Sequence, residues 1–435
     1  MPRYYVFLAN ARATFVLMRV FKFGGASLKD PPSIRNMIDI VRNQGKPPLL
    51  IVVSAMGKTT NVLEQVFDHY RKTGVPGPAF KELQAYHYAI MRELFKPGDG
   101  VFAAVDLLFE RALQTLDDVH PYDMGYDQII AFGELISSTI VHHVALQEGL
   151  PALWMDARNF ISTDETFREG KVDWELTRKK VGELGPVLAE KIVITQGFIG
   201  KAPSGLTTTL GREGSDYSAA IFASLLAARS VTIWKDVPGV MSADPKRLSD
   251  PTVFSELPYQ EAAEMTYYGA SVIHPKTIKP LANAKIPLYV KSFDDPALPG
   301  TVIHECRIPR LPPLVVFKDN QCLISCKVTD YTFISEQQIS MIFNQLSSLD
   351  IRINVMQNSA ISFSFCIDFR ESRVSALIRE LQKNFEVYYN AGLTLITVKN
   401  YDAESFEKFR KLDGVLLEQV SRSTLQVLVR GRSRQ

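Results

Sequence analysis

Thr207-Thr208-Thr209-Leu210-Gly211-Arg212-Glu213-Gly214-Ser215-Asp216 runs directly into the apolar, helix-like stretch Tyr217–Leu226. Four hydroxyl side chains, two glycines, an arginine and an aspartate share this run. Glycine lets a backbone approach a ligand closely, and amides at a helix N-terminus favour anions. Arg212 offers a planar fork for a carboxylate or phosphate, and Asp216 places a negative charge beside it. The loop suits a small anionic substrate lying next to a phosphate.

Outward from this loop, strand-like runs alternate with helical patterns from Val20 to about Pro299. The runs Val20–Phe23, Leu49–Ser54, Ala152–Asp156, Ile192–Gln196, Val231–Trp234 and Leu288–Val290 are short and apolar or β-branched. Helix-length segments separate them, including Ile34–Asn43, Asn61–Lys72, Tyr126–Gln147 and Tyr217–Ala228. Such alternation predicts an α/β fold, three layers deep, with a mostly parallel central sheet. Strands apolar at every position point to burial on both faces.

Pro309, Pro312 and Pro313 punctuate a boundary, and the pattern then changes. Strand Cys322–Val328, helix Glu336–Leu349, strands Ile351–Val355 and Ile361–Phe369, helix Val374–Lys383 and strand Val387–Tyr389 follow. This β-α-β-β-α-β order predicts a ferredoxin-like α+β region. Strand Leu393–Val398, helix Ala403–Lys411 and strands Leu416–Val420 and Leu425–Val429 read as a shorter second unit. The expected division is an N-terminal extension over 1–17, an α/β domain over 18–307, and two α+β units over 314–391 and 392–435.

The bulk numbers set limits. A chain of 435 residues needs more than one core. A net charge of +2 gives no electrostatic support for nucleic acid or an anionic membrane. No apolar run reaches the roughly 18 residues that span a bilayer. Cys306, Cys322, Cys326 and Cys366 lack a paired metal-ligand spacing and read as reduced thiols in a cytoplasmic protein. The scattered histidines predict no protein-only metal site. Met18 reads as a natural chain start, with residues 1–17 upstream of it.

Further motifs lie at predicted strand ends, where ligands of such sheets bind. Phe21-Lys22-Phe23-Gly24-Gly25 offers backbone amides and a point charge to a phosphate. Ser54 and Thr60 place hydroxyls on the rim. Gly57-Lys58-Thr59 imitates the end of a phosphate loop, but Val52 stands where that loop needs its first glycine. Glu134 sits in an otherwise apolar helical run, where a carboxylate costs free energy unless it is paired. Gln196-Gly197-Phe198 and Lys235-Asp236-Val237-Pro238-Gly239 close two more strands.

Taken in order, these motifs resemble the aspartate kinases of the amino-acid kinase superfamily. The likeness rests on Lys22–Gly25, Ser54 to Asn61, Gly133-Glu134, Gln196–Phe198, Thr207–Asp216, Asp236–Gly239, Asp244-Pro245, Ala262–Met265 and Gly269 to Pro275. The tail resembles that family's paired ACT regulatory domains. The resemblance implies transfer of phosphate from ATP, with Mg2+ held by the nucleotide, to the β-carboxylate of L-aspartate. The product, 4-phospho-L-aspartate, leads towards lysine, threonine and methionine. Lys22 and Asp216 are then the catalytic pair. Ser54, Thr60, Glu134, Phe198, Arg212 and Ser215 bind aspartate, with Arg212 on the α-carboxylate and Glu134 on the α-ammonium. Lys22, Gly24, Gly25, Lys235, Asp236, Met241, Lys246 and Ser271 face ATP. Ile353, Asn354 and Ser359 face an amino-acid effector in the ACT-like region, and a homodimer is implied.

The chain departs from the family pattern at several positions. Glu213 replaces a glycine, Ser271 a lysine directed at the ATP phosphates, Met241 a tyrosine and Lys246 an arginine. Asn354 and Ala360 stand where lysine-sensitive relatives often carry acids, which argues against lysine feedback. Two alternatives stay open: a kinase for another small carboxylate or a nucleotide, and a catalytically weak amino-acid sensor of the same fold.

Overall fold

The computed structural model describes residues 18–270, 273–329 and 332–430. The expected N-terminal extension and Ser271 lie outside the described residues. The chain divides into two compact units. Residues up to Val240, Val253–Ala263 and the stretch ending at Arg307 form the first; Met241–Thr252, the segment from Glu264 and the stretch from Ile308 form the second.

The first unit carries strands β1 (Arg19–Phe23), β2 (Leu49–Val53), β3 (Ala152–Met155), β4 (Ile192–Gln196), β5 (Ile199–Lys201), β6 (Thr207–Thr209), β7 (Ser230–Lys235), β8 (Glu256–Pro258), β9 (Leu288–Ser292) and β10 (Thr301–His304). Eight of them form one sheet in the order β3-β4-β2-β1-β7-β9-β10-β8. From β3 through β9 every pairing is parallel, and only β9–β10 is antiparallel. β2 and β4 are buried at every position, as a sheet covered on both faces requires. β1 lies between β2 and β7, so successive connections leave it in opposite directions. Ligands of such sheets bind at this switch point, beyond the carboxyl ends of the strands.

Helix Tyr122–Gln147 is long and apolar enough to cross a membrane, but most of its apolar stretch is buried in this unit. Helix Gly214–Leu225 follows the β5–β6 hairpin and packs on β1, β2 and β7. Gly197, at the end of β4, makes that approach possible. A side chain there would meet the Ser215 Cβ at 2.4 Å. The strand expectations match to within a residue or two. The hairpin, β8, β10 and helices Trp174–Gly182 and Pro275–Ala284 are additional. The added strands are three or four residues long, too short to carry a readable period.

The second unit is built on a six-stranded antiparallel sheet: β11 (Leu314–Lys327), β12 (Ile353–Asn358), β13 (Ser362–Asp368), β14 (Glu386–Lys399), β15 (Val415–Val420) and β16 (Thr424–Arg430). Their order is β12-β13-β11-β14-β16-β15. With helices Glu336–Ser348 and Glu371–Leu381, β11 to β14 complete the ferredoxin-like, ACT-like layout. β14 is one strand where the sequence reads as two. It pairs with β11 along its length, and register shifts beside Asn320 absorb the irregularity that Gly392 announces. The second half, β14-β16-β15 with helix Ala403–Arg410, takes its fourth strand from Leu314–Lys318 at the start of β11. This loan explains why the last part of the chain reads as shortened.

Candidate active site

β1, β2, β4 and β7 end in register: Phe23 lies opposite Val53 and Trp234, and Val53 opposite Gln196. Beyond those ends opens a cavity of about 570 Å³. Lys22 comes from β1, Ser54 follows β2, Phe198 follows β4 and Lys235 ends β7. Thr60 opens a helix, Glu134 lies on the long buried helix, and Arg212, Ser215 and Asp216 come from the loop and first turn of helix Gly214–Leu225. All line this one cavity, together with Gly25.

Lys22 is 8% exposed, and its Nζ lies 2.7 Å from Asp216 Oδ1. The two side chains form a buried ion pair. Lys235 Nζ lies 3.6 Å from Asp216 Oδ2. Burial alone would push the Asp216 carboxyl up, but the two ammonium groups outweigh it and hold it below the usual carboxylate range. The amides of Gly214, Ser215 and Asp216, at the helix start, add positive potential without a side-chain cap.

Glu134 differs from Asp216 in having no cationic partner in contact. Its Oε1 accepts the Ala55 N–H at 3.4 Å, while Oε2 is buried with no partner among the described residues. Burial pushes this carboxyl up to about 8, against the pull of the Ala55 amide and the more distant Lys22 charge. A group kept neutral only because its counter-charge is missing is a receptor for a cation. Glu213 also faces inward. It holds a left-handed backbone at φ 53°, it lines the cavity, and its Oε2 is buried without a partner among the described residues. Burial raises its pKa, with Lys235, Arg212 and Lys22 opposing.

Thr209 of the opening run also lines the cavity, and so do Arg168, Glu169, Tyr126 and Gly57, which were not foreseen. The Arg168 guanidinium stacks 4.2 Å from the Tyr126 ring centroid. Its backbone N–H donates to Asp127 Oδ2 at 2.8 Å, and Thr209 donates to Asp127 through both N–H and Oγ1. The neighbouring Gln128 grips Thr207 through its N–H and carbonyl. Asp127 and Gln128 thus fix the threonine strand that leads into the anion loop. A signal existed: Asp127 and Glu134 are seven residues apart on one apolar helix and therefore share a face.

Not every expected contact belongs to this cavity. Gly24 and Asp236 are absent from its lining, although a side chain at Gly24 would come within 3.5 Å of Lys22 Nζ. Met241 and Lys246 belong to the second unit. Ile353 and Asn354 lie on β12 there, with Ser359 just after it. Asn354 is held by Lys318 at 2.8 Å, Gln321 at 2.6 Å and Asp368 at 3.0 Å.

The parallel sheet, its switch-point cavity and the glycine-rich helix start define a small-molecule kinase of the three-layer αβα class. The chain belongs to the Amino acid kinase family, whose profile matches residues 18–292. Among its relatives, lysine-sensitive aspartokinase 3 of Escherichia coli is 31% identical over 88% of this chain and 87% of its own length. A bifunctional aspartokinase/homoserine dehydrogenase 2 of Arabidopsis thaliana is 31% identical, and the match spans 42% of that longer protein. The crystal structure of E. coli aspartokinase III with aspartate and ADP is 28% identical, with a TM-score of 0.81 over 95% of this chain and 96% of that one.

Proposed function

We propose that this chain is an aspartate kinase, transferring the γ-phosphoryl group of ATP to the β-carboxylate of L-aspartate. The observation that carries this reading is one cavity holding two opposed devices. The Lys22–Asp216–Lys235 group presents positive charge over a helix N-terminus, and an unpaired buried Glu134 waits for a cation. A phosphate suits the first device, and an ammonium suits the second.

The chemistry follows from the acceptor. A carboxylate is already ionised at neutral pH, so no general base is needed. A β-carboxylate oxygen attacks the γ-phosphorus, the bond from that phosphorus to the bridging oxygen breaks, and ADP leaves with the electron pair. Phosphoryl transfer then needs positioning and electrostatic stabilisation. Lys22 supplies the charge and Asp216 aims it. Arg212 pairs with the substrate α-carboxylate, and Glu134 takes the α-ammonium. Ser54, Thr60, Ser215 and Phe198 complete the aspartate pocket; Gly24, Gly25, Lys235 and Asp236 serve the nucleotide. Mg2+ prefers oxygen donors. Asp216 already carries two lysines, so the inward Glu213 carboxylate is the group that fits an ion bound with the nucleotide. Magnesium supplies neutralisation of phosphate charge.

The same reading places an amino-acid effector at Ile353, Asn354 and Ser359. Asn354 brings no charge for an ε-ammonium and its amide is engaged, which disfavours lysine there. E. coli aspartokinase III has been crystallised with lysine and aspartate. The tail units, 314–391 and 392–435, support a homodimer: Met356 on the edge strand β12 and Tyr388 and Tyr389 on β14 are exposed. Four unpaired cysteines fit the cytoplasm.

Release of ADP with aspartate, glutamate and UMP as acceptors tests the reading. Turnover with aspartate alone is expected. Turnover with UMP or glutamate instead would assign another acceptor, and no turnover with any, alongside amino-acid-induced thermal stabilisation, would make the chain a sensor.

A further inference from the structure

β8 and β10 sit together at one margin of the eight-stranded sheet. They run parallel, with Val302 opposite Glu256 and His304 opposite Pro258. At this margin the His304 ring nitrogen, the Cys306 thiol and a Glu256 carboxylate oxygen all lie within 4.8 Å of one another. His304 Nε2 is 3.0 Å from Glu256 Oε2. No other trio of histidine, cysteine and carboxylate side chains converges in this way among the described residues. None of the three lines the active-site cavity.

A histidine–glutamate ion pair alone would account for two of these groups, but not for the thiol. A bound cation takes the deprotonated thiol as a ligand. One nitrogen, one sulfur and one oxygen donor make a borderline-soft set that suits zinc. Zinc binds such donors at about 2.0–2.3 Å, which puts tetrahedral ligands roughly 3.5 Å apart. Glu256 and His304 remain partly exposed, with side chains 48% and 34% accessible, so water has access to a fourth position.

We propose that Glu256, His304 and Cys306 form a zinc site with three protein ligands and one water, stapling β8 to β10. On binding, the Cys306 thiol loses its proton to solvent, His304 binds as the neutral imidazole, and Glu256 binds as the carboxylate. The site stands independently of the kinase reading.

Cobalt substitution tests it on the full chain after treatment with EDTA. Titration with Co2+ is expected to produce a near-ultraviolet thiolate-to-cobalt charge-transfer band that saturates at one ion per chain. Zn2+ should displace the band. Cys306→Ser should abolish it, and His304→Gln and Glu256→Gln should weaken binding at least tenfold. All three variants should retain the wild-type far-ultraviolet circular dichroism and wild-type kinase turnover. In the wild type Zn2+ should raise Tm relative to EDTA, and His304→Gln should lose that shift. No charge-transfer band at saturating Co2+, or the same band in Cys306→Ser, overturns the site.

Discussion

The active-site cavity and the polar cluster on β11 to β13 both set carboxylates beside lysines, yet they are finished differently: Asp216 and Glu134 are buried, whereas the Asp368 side chain is 55% exposed. In the tail, Asp368 meets Lys318 at 2.9 Å, Gln321 at 2.9 Å and Asn354 at 3.0 Å. Burial alone would push the Asp368 carboxyl up, but those partners hold it below the usual range. In the cavity, Glu134 and Glu213 each keep a buried oxygen with no partner among the described residues. A buried polar group left unpaired costs about 1–3 kcal/mol, and more when charged. A satisfied network serves the fold, whereas an unsatisfied one is stability held back until a ligand arrives.

Lys22 should give the largest effect. Lys22→Ala should lower turnover by about 10²–10³, the scale for losing one preorganised electrostatic group. It also strips Asp216 of its closer cation. Near-normal turnover in a folded variant would falsify the role of the cationic cavity.

Glu134 follows. Glu134→Gln should raise KM for aspartate by roughly 10–100-fold, through loss of a charge-assisted hydrogen bond. The same change should stabilise the ligand-free protein. The folded-state pKa of Glu134 is raised to about 8, so its stability contribution is fully present below the unfolded carboxyl value and is lost as pH rises towards about 8. The glutamine amide has no such cost. The Tm of the variant should therefore exceed wild type at pH 8, and the gap should close towards pH 5. Each kcal/mol corresponds to about 2–4 °C in a unit of this size. A destabilised variant at pH 8 would mean that Glu134 is paired in the free protein.

In the tail, Asp368→Ala should behave in the opposite way. It removes an acceptor from Lys318, Gln321 and Asn354, but water can reach this partly exposed site, so the cost should be about 0.5–1.5 kcal/mol of stability, with turnover unchanged. The smallest effect is at Glu213. Glu213→Gly relieves a left-handed backbone and removes an unpaired carboxylate, so a gain of about 1 kcal/mol is expected. KM for ATP-bound magnesium should rise in the same variant. Loss of stability there would place the Glu213 carboxylate in a structural role.

Much of this was legible in the sequence, for a physical reason. Strands buried on both faces are apolar throughout, so β2 and β4 stand out without any knowledge of their partners. Lys22, Ser54, Glu134, Arg212 and Asp216 were legible because each breaks an apolar or glycine-rich context, and the fold gathers them into one cavity. Arg168 was not, because it lies on a polar loop where an arginine is ordinary. It reaches the cavity only through the φ of 66° and the bond to Asp127. Sequence order likewise hid the strand that Leu314–Lys318 lends to the second half of the tail sheet, since pairing is set by topology. The orientation of Glu213 also depends on packing that no local pattern encodes.

The central claim is that Glu134 is the unpaid charge awaiting the substrate ammonium, and proton linkage tests it most directly. Aspartate binding at pH 7 should be measured calorimetrically in buffers of differing ionisation enthalpy. A neutral Glu134 that ionises against the ammonium predicts release of roughly one proton per aspartate bound, declining above pH 8 and absent in Glu134→Gln. Binding heats independent of buffer, with no proton released by the wild type, would contradict the account.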